Sequence, residues 1–357
     1  MSALSAFIRW AAIGAVASAI LLWAQSEAVG GVEGLLQVGE TSDVRPLIES
    51  ELGTIPLAPG PGHDGQIYYA IALDLSGEEV GPLLDHAGYR YRRILYPLLA
   101  SGIGLLEGTP LLIGMIVVTI VSAAVATGAT AYLATRVGIS EWAALAVLLN
   151  PGMWLSIRLL TSDTLALALM TVGLMALGAR ATLPAAGFAL STLAKDVFVV
   201  TPIGLGVGRG RRRWGLGGFS LLVLLAWMTW LTVTLGDGFT GRGNLALPFM
   251  GIIDGSANWP NLDAEEMVYL GFGLVTVLAG LVIGIGRSSW LRWPILGWTG
   301  LALISSNWVW DFGNNAARAF APLAVLIVLS FGREALPISD APQAMAVTAD
   351  SSGSVDP

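Results

Sequence analysis

The segment Gly62-His63-Asp64-Gly65-Gln66, followed by Tyr68, Tyr69 and Asp74, sets a carboxylate in a glycine-flanked turn. With glycines at positions 62 and 65, such a carboxylate can approach a substrate closely and act as a general base. Further along, Gly88-Tyr89-Arg90-Tyr91-Arg92-Arg93 places three arginines within four positions, ahead of Leu95-Tyr96-Pro97. Guanidinium groups at this density make a clamp for phosphate or pyrophosphate. They would also serve as anchors beside lipid headgroups. The chain's only lysine, Lys195, stands next to Asp196 inside an otherwise apolar run, and ionisable residues at such depth are expensive and functional by default.

The elements that must carry these groups are apolar. Of 357 residues, 55% are hydrophobic and 12% charged, with a mean hydropathy of +0.72, which excludes an ordinary soluble enzyme. A net charge of -7 with no long basic face excludes a nucleic-acid partner. The absence of cysteine excludes disulfides, thiolate nucleophiles and cysteine-bound metal. Runs suited to crossing a bilayer lie near Ala11 to Trp23, Leu111 to Ala134, Ala143 to Ile157, Leu165 to Ala179, Leu183 to Val207, Gly217 to Leu235, Val268 to Ile285, Trp293 to Trp310 and Ala319 to Phe331. The first also reads as a signal peptide behind Arg9.

This pattern divides the chain into a first transmembrane helix (1–25), an extracytoplasmic loop with short helices (26–109), a transmembrane bundle (110–333) and a polar cytoplasmic tail too poor in apolar residues to fold (334–357). The loop carries nearly half of the 25 acids and both histidines, His63 and His86. Arg9, Arg136, Arg180, the cluster from Arg209 to Arg213, Arg287, Arg292 and Arg333 should face the cytoplasm. Counting every run as one crossing puts Arg209 to Arg213 outside. Reading Leu183 to Ala194 and Val197 to Val207 as two half-helices restores the parity and places Lys195 at the exported tip of a hairpin lining a wet cavity. The expectation is therefore an all-α polytopic membrane protein with roughly 8–10 transmembrane helices, including a broken, re-entrant pair.

In this order the motifs resemble the membrane-embedded C-type glycosyltransferases, in particular their bacterial, mannosyltransferase-like branch. The likeness rests on the short first helix, the large first loop with its early Asp64, the Gly88-Tyr89-Arg90 and Tyr96-Pro97-Leu98 exit, Arg158-Leu-Leu-Thr-Ser-Asp163, Leu193-Ala194-Lys195-Asp196, and Trp310-Asp311 through Arg318. It spans Met1 to about Phe331. It implies an enzyme of the cytoplasmic membrane that moves a sugar from a polyprenyl-phosphate donor to a glycan, lipid or protein acceptor on the extracytoplasmic side. Asp64 would be the base. Arg92, Arg93, Lys195 and Arg318 would hold the donor phosphate, and Asp74, Asp163 and Asp196 would orient a sugar hydroxyl or a metal. No cofactor is required, although a divalent Mg or Mn ion at Asp64 and Asp163 is compatible with carboxylate oxygens. One departure is that His63 precedes a lone Asp64, where many such enzymes carry adjacent acids.

Each residue has a plainer role as well. Asp163 follows Thr161 and Ser162 at a helix start and suits capping. Lys195 and Asp196 would neutralise each other, and Arg318 would bridge to Asp311. His63 and His86 lack metal-ligand spacing. Tyr68 and Tyr69 suit packing, while Trp259 or Trp308 would stack on a sugar face. A transporter, for which a charged, broken helix is typical, and an inactive glycan-binding relative are the competing classes.

Overall fold

The computed structural model describes residues 2–178, 182–208, 211–239 and 243–333. The expected tail (334–357), Arg180 and Arg209 lie outside the described residues. The described residues form an all-helical fold, with 73% helix. The strand content among the described residues is one small parallel pair, β1 (Val38–Gly39) and β2 (Leu57–Ala58).

Helix α1 (Ala3–Ala28) starts at Ser2, whose side chain accepts from the Ser5 amide. The following segment folds on the ends of the helices rather than trailing as a loop. It contains α2 (Arg45–Leu52), α3 (Asp64–Leu73), α4 (Ala87–Tyr91) and α5 (Leu95–Ala100). Tyr68, Tyr69, Tyr91 and Tyr96 are buried beneath it. Helix α6 (Gly108–Arg136) returns along α1 through small residues: a Cβ on Gly14 would lie 2.8 Å from Thr127 Oγ1, and one on Gly128 would lie 2.7 Å from the Phe7 carbonyl oxygen. In lipid, where helices gain little from burying apolar surface, such close backbone approach supplies the packing.

Two expected crossings are broken. The run Ala143 to Ile157 is split into α7 (Leu145–Leu148) and α8 (Pro151–Arg158), because Pro151 has no N–H to continue the helix. Asn150 caps the new start, accepting from the amides of Gly152 and Met153. Next come α9 (Asp163–Met175), α10 (Thr182–Ala194), α11 (Val200–Gly208), α12 (Arg211–Leu235) and α13 (Met250–Gly255). Between α10 and α11, Lys195 is extended and residues Asp196–Val199 form one 3-10 turn. The chain doubles back there. Lys195 meets Asp163 at the start of α9, whereas Gly206 near the end of α11 packs on Trp214 near the start of α12.

Helix α14 (Ala264–Gly286) is capped by Asp263, which accepts from the Glu266 amide. The second broken run, Trp293 to Trp310, gives α15 (Arg292–Leu303) and α16 (Asn307–Trp310), followed by α17 (Gly313–Leu329). The break is filled by residues 244–249: the amides of Ala246 and Phe249 donate to the carbonyls of Ile304 and Leu303, and the Ser306 amide donates to the Asn244 carbonyl. These bonds satisfy carbonyls that a helix end leaves orphaned.

Among the described residues, four helices are long and apolar enough to cross a membrane: α1, α6, Trp214–Leu235 within α12, and α14. They mark a multi-pass membrane protein. Asp163–Gly178, Thr182–Ala194, Asp196–Val207 and Gly313–Leu329 are shorter apolar segments.

Candidate active site

The glycines around Asp64 are fixed by contact. Gly62 has φ +73°, and a Cβ there would lie 2.4 Å from the Gly39 nitrogen, so no side chain is tolerated. Gln66 ties the turn together, accepting from the Gly39 amide at 3.1 Å and donating to the Pro61 carbonyl at 2.7 Å. A Cβ on Gly65 would lie 2.8 Å from the Leu159 carbonyl oxygen. That approach seats α3 on the turn before α9 and brings Asp64 toward Asp163. The arginine segment is pinned in turn by Gly88, whose amide donates to Asp237 at 2.6 Å, and by Trp227, whose indole donates to the Tyr91 carbonyl at 3.0 Å.

The charges meet in one network. Asp64 Oδ1 accepts from Arg90 at 2.9 Å and Oδ2 accepts from Arg318 at 2.9 Å. The same Arg318 nitrogen donates to Asp163 at 3.0 Å, and Asp163 also accepts from Lys195 and from Thr161 at 2.7 Å. Arg93 donates to the Tyr89 hydroxyl at 2.6 Å and to Tyr68 at 3.4 Å. The Tyr89 ring lies 4.9 Å from the guanidinium of Arg93, 5.6 Å from that of Arg92 and 5.9 Å from that of Arg90. One aromatic face thus gathers all three arginines.

A cavity of about 200 Å³ opens at this network. Its charged lining is Asp64 together with Arg90, Arg93, Lys195 and Arg318, and its uncharged lining includes Tyr89, Asn244, Ser305, Trp308 and Asn315. These four cations outnumber the three carboxylates that hold them, Asp64, Asp85 and Asp163, which favours an anionic occupant. Buried guanidinium nitrogens point the same way: among the described residues, Nε of Arg93 and Nε of Arg318 have no hydrogen-bond partner. Burial alone would raise the Asp64 carboxyl, but the charges of Arg318, Arg90 and Arg93 outweigh it and hold the group well below the ordinary carboxylate range. Burial, with Arg318 and Arg158, outweighs the pull of Asp64 on His63 and leaves that imidazole below its ordinary value, neutral at pH 7.

Several expected roles are redistributed. Arg92 does not line the cavity; it lies 3.7 Å from Asp196 and donates to the Gly238 carbonyl at 2.9 Å. Asp196 is therefore tied to Arg92 rather than to Lys195. Asp74 is remote from the cavity lining and closes the following turn, accepting from Ser76 and from the amides of Gly77, Glu79 and Val80. That is a structural task, in place of the expected sugar or metal contact. Asp163 makes no helix cap, since its oxygens are taken by Lys195, Arg318 and Thr161. Arg318 faces Asp64 and Asp163, whereas Asp311 accepts from Asn307. Tyr69 donates to the Gly108 carbonyl, and the Trp259 indole donates to the Trp310 carbonyl, while Trp308 stands half exposed on the cavity wall.

Tyr89, Asn244 and Asn315 were not assigned roles from sequence, and Arg90 entered only as one of the three clustered arginines, not among the residues given the donor phosphate. Arg90 was within reach of helical spacing, since it and Arg93 are three apart and share a face that Arg92 does not. Asn244 was not, because only the pairing of 244–249 with the α15 break brings it to Tyr89, to whose hydroxyl it donates at 3.1 Å. The donor set does not fit a divalent cation. Both Asp64 oxygens and both Asp163 oxygens accept from cationic groups, and among the described residues no three acidic or histidine side chains converge.

Comparison with known proteins finds no matching family model, no matching curated protein and no matching solved structure. Fold and site together define a class, a helical membrane bundle with a cationic cavity holding one carboxylate at one end.

Proposed function

We propose that the protein is a glycosyltransferase of the cytoplasmic membrane, moving a sugar from a polyprenyl-phosphate donor to an extracytoplasmic glycan, lipid or protein acceptor. The observation that carries this reading is the cavity itself, with Asp64 among Arg90, Arg93, Lys195 and Arg318 at the end of apolar helices. A lipid-borne phosphate matches both its charge and its setting. The resemblance of the motif order to the C-type glycosyltransferases supplies the sugar.

In this mechanism Asp64 takes the proton of the acceptor hydroxyl. The acceptor oxygen bonds to the sugar's anomeric carbon while the bond from that carbon to the phosphate oxygen breaks. The electron pair departs on the phosphate, which Arg90, Arg93, Arg318 and Lys195 stabilise. No covalent enzyme intermediate is formed. The base is worth roughly 10²- to 10⁴-fold in rate.

Sidedness follows from the arginines. At the cavity end Arg90 pairs with Asp64 and Asp85, Arg92 with Asp196, Arg158 with Glu265 and Arg318 with Asp64 and Asp163, while Arg93 is held by tyrosine hydroxyls. At the opposite end Arg9 pairs with Glu141, and Arg136 at the end of α6 and Arg287 after α14 donate to Tyr132 and to the Phe331 carbonyl. An end where arginines outnumber their acidic partners favours the cytoplasm. Helices α1, α6, α7 with α8, α9, α10, α11, α12, α14, α15 and α17 then pass between the two ends, with α10 and α11 as the re-entrant pair.

The test is transfer of radiolabelled sugar from polyprenyl-phosphate donors by the purified protein, compared with Asp64→Asn. Transfer that falls by the factor given above supports the reading. Solute uptake into proteoliposomes without transfer would identify a carrier, and donor binding without turnover in the wild-type chain would identify a binding protein.

A further inference from the structure

Both oxygens of Asp64 are engaged by cations. Each of its oxygens accepts from a different guanidinium, Oδ1 from Arg90 and Oδ2 from Arg318, both at 2.9 Å. Each arginine has a second carboxylate partner. Arg90 is held by Asp85 through two hydrogen bonds, at 3.0 and 3.2 Å, and Arg318 by Asp163, which it shares with Lys195, at 3.0 Å. The remaining arginines are tied elsewhere: Arg92 to Asp196, and Arg93 to the hydroxyls of Tyr89 and Tyr68. The contacts of Asp64 can therefore be exchanged for those of another anion while each guanidinium keeps a carboxylate contact.

A carboxylate in this state is a poor partner for an alcohol. As a base it is weakened, because each of its oxygens already shares its charge with a guanidinium through a charge-assisted hydrogen bond, the stronger kind. A donor phosphodiester entering the cavity changes the balance, because its two non-bridging oxygens offer a second acceptor to the donors that now face Asp64. We propose that Arg90 and Arg318 are shared in turn between Asp64 and the donor phosphate, so that phosphate binding releases the carboxylate and the donor must bind before the acceptor. This rests on the lipid-phosphate reading of the site and adds to it a binding order. Before the donor arrives, Asp64 is held ionised by its two guanidinium partners. Once it is bound, the proton from the acceptor hydroxyl has a place to go and the leaving phosphate is already on its guanidinium partners.

The experiment uses the full-length chain in lipid nanodiscs, with inorganic phosphate released from a photolabile cage as the probe and citronellyl phosphate as its lipid-like counterpart. Infrared difference spectra should show a change in a carboxylate stretch on phosphate release. The band should shift when the wild-type protein is grown on carbon-13 aspartate and vanish in Asp64→Asn. Equilibrium binding of radiolabelled phosphate should tighten at least about tenfold in Asp64→Asn. It should tighten much less in Asp85→Asn, which removes the same charge from Arg90 but not the competitor inside the cavity. Arg318→Lys, which keeps the charge and loses the fork, should retain binding with a smaller band. Phosphate binding without an aspartate band in the labelled wild-type chain overturns the exchange and leaves the phosphate site standing, as does equal tightening in the two asparagine variants. Failure of both phosphate and citronellyl phosphate to bind overturns the lipid-phosphate reading together with the exchange.

Discussion

Arg318 donates to Asp64 across 254 residues of sequence, at 2.9 Å, and through the same nitrogen to Asp163 at 3.0 Å. One side chain on α17 thus closes the site between α3 and α9. Because the three groups are buried or nearly so, removing the cation leaves two carboxylates facing each other with only Arg90 and Lys195 to balance them. Breaking a buried ion pair from one side costs roughly 3–5 kcal/mol. Arg318→Gln should lower stability to denaturant by an amount of that order and abolish anion binding. Arg318→Lys should recover most of the stability and only part of the binding, since an ammonium group cannot reproduce the planar fork. Equal loss in the two variants would show that Arg318 acts by packing alone.

The depressed Asp64 carboxyl fixes a pH dependence. An aspartate unfolds to a pKa of about 3.9, and in the folded protein Arg318 and Arg90 hold this one far lower. Its contribution to stability is therefore complete above about pH 4 and is lost as pH falls through the folded value. The difference in thermal midpoint between the wild-type chain and Asp64→Asn should be constant from pH 8 to pH 5, then shrink below about pH 4. His63, held below its ordinary value in the folded protein, takes up its proton first in the unfolded chain, so wild type and Asp64→Asn should both lose some stability as pH falls below about 6.5, a loss that largely cancels in their difference. A wild-type advantage that disappears between pH 7 and 6 would contradict both assignments.

Much of the architecture was legible because membrane helices advertise themselves. Long apolar runs gave α1, α6, α12 and α14, and the charge at Lys195 marked the break between α10 and α11. The breaks at Asn150 and Ser305 were hidden inside apolar runs, and both depend on contacts from afar: Asn150 on its own cap and the Ala321 carbonyl, Ser305 on the segment around Leu245. Asp64, Arg93, Lys195 and Arg318 were chosen by residue type, and the structure gathers them around one cavity. Asp74 was chosen on the same ground and belongs to a turn, because four residues after it present amides and a hydroxyl within reach. Residue type told which groups are able to do chemistry. Only the packing told which of them had been spent on holding the backbone.

Gly152 tests how tightly the site depends on helix packing. A Cβ there would lie 2.1 Å from the Ala317 carbonyl oxygen and 2.9 Å from the Arg318 nitrogen, so α8 and α17 must separate to admit it. Overpacking of this kind costs roughly 1–3 kcal/mol. Gly152→Ala should therefore destabilise by about that amount and weaken phosphate binding through displacement of Arg318, although residue 152 touches no ligand. Gly271→Ala on α14, where a Cβ meets nothing within 4 Å, should raise stability slightly and leave binding unchanged. If Gly152→Ala binds phosphate as well as the wild type, the position of Arg318 is set by its carboxylates and not by the helix beneath it.

The hairpin at Lys195 and the assignment of sides stand or fall together, and the absence of cysteine makes the chain a clean background for labelling. Glu78 is exposed on the turn closed by Asp74, at the cavity end, and Ser288 is exposed after α14 at the opposite end. Lys195 is 9% exposed and lines the cavity. With the cavity end outside, a membrane-impermeant maleimide added to intact cells should label Glu78→Cys at once and Lys195→Cys slowly, through the cavity. Ser288→Cys should react only after permeabilisation. Soluble phosphate should protect position 195 and not position 78, because only the former shares the cavity with Arg93 and Arg318. Were α10 and α11 one straight crossing, position 195 would sit at mid-membrane depth away from water and stay unlabelled under every condition, while labelling of Ser288→Cys from outside would invert the orientation of the whole bundle.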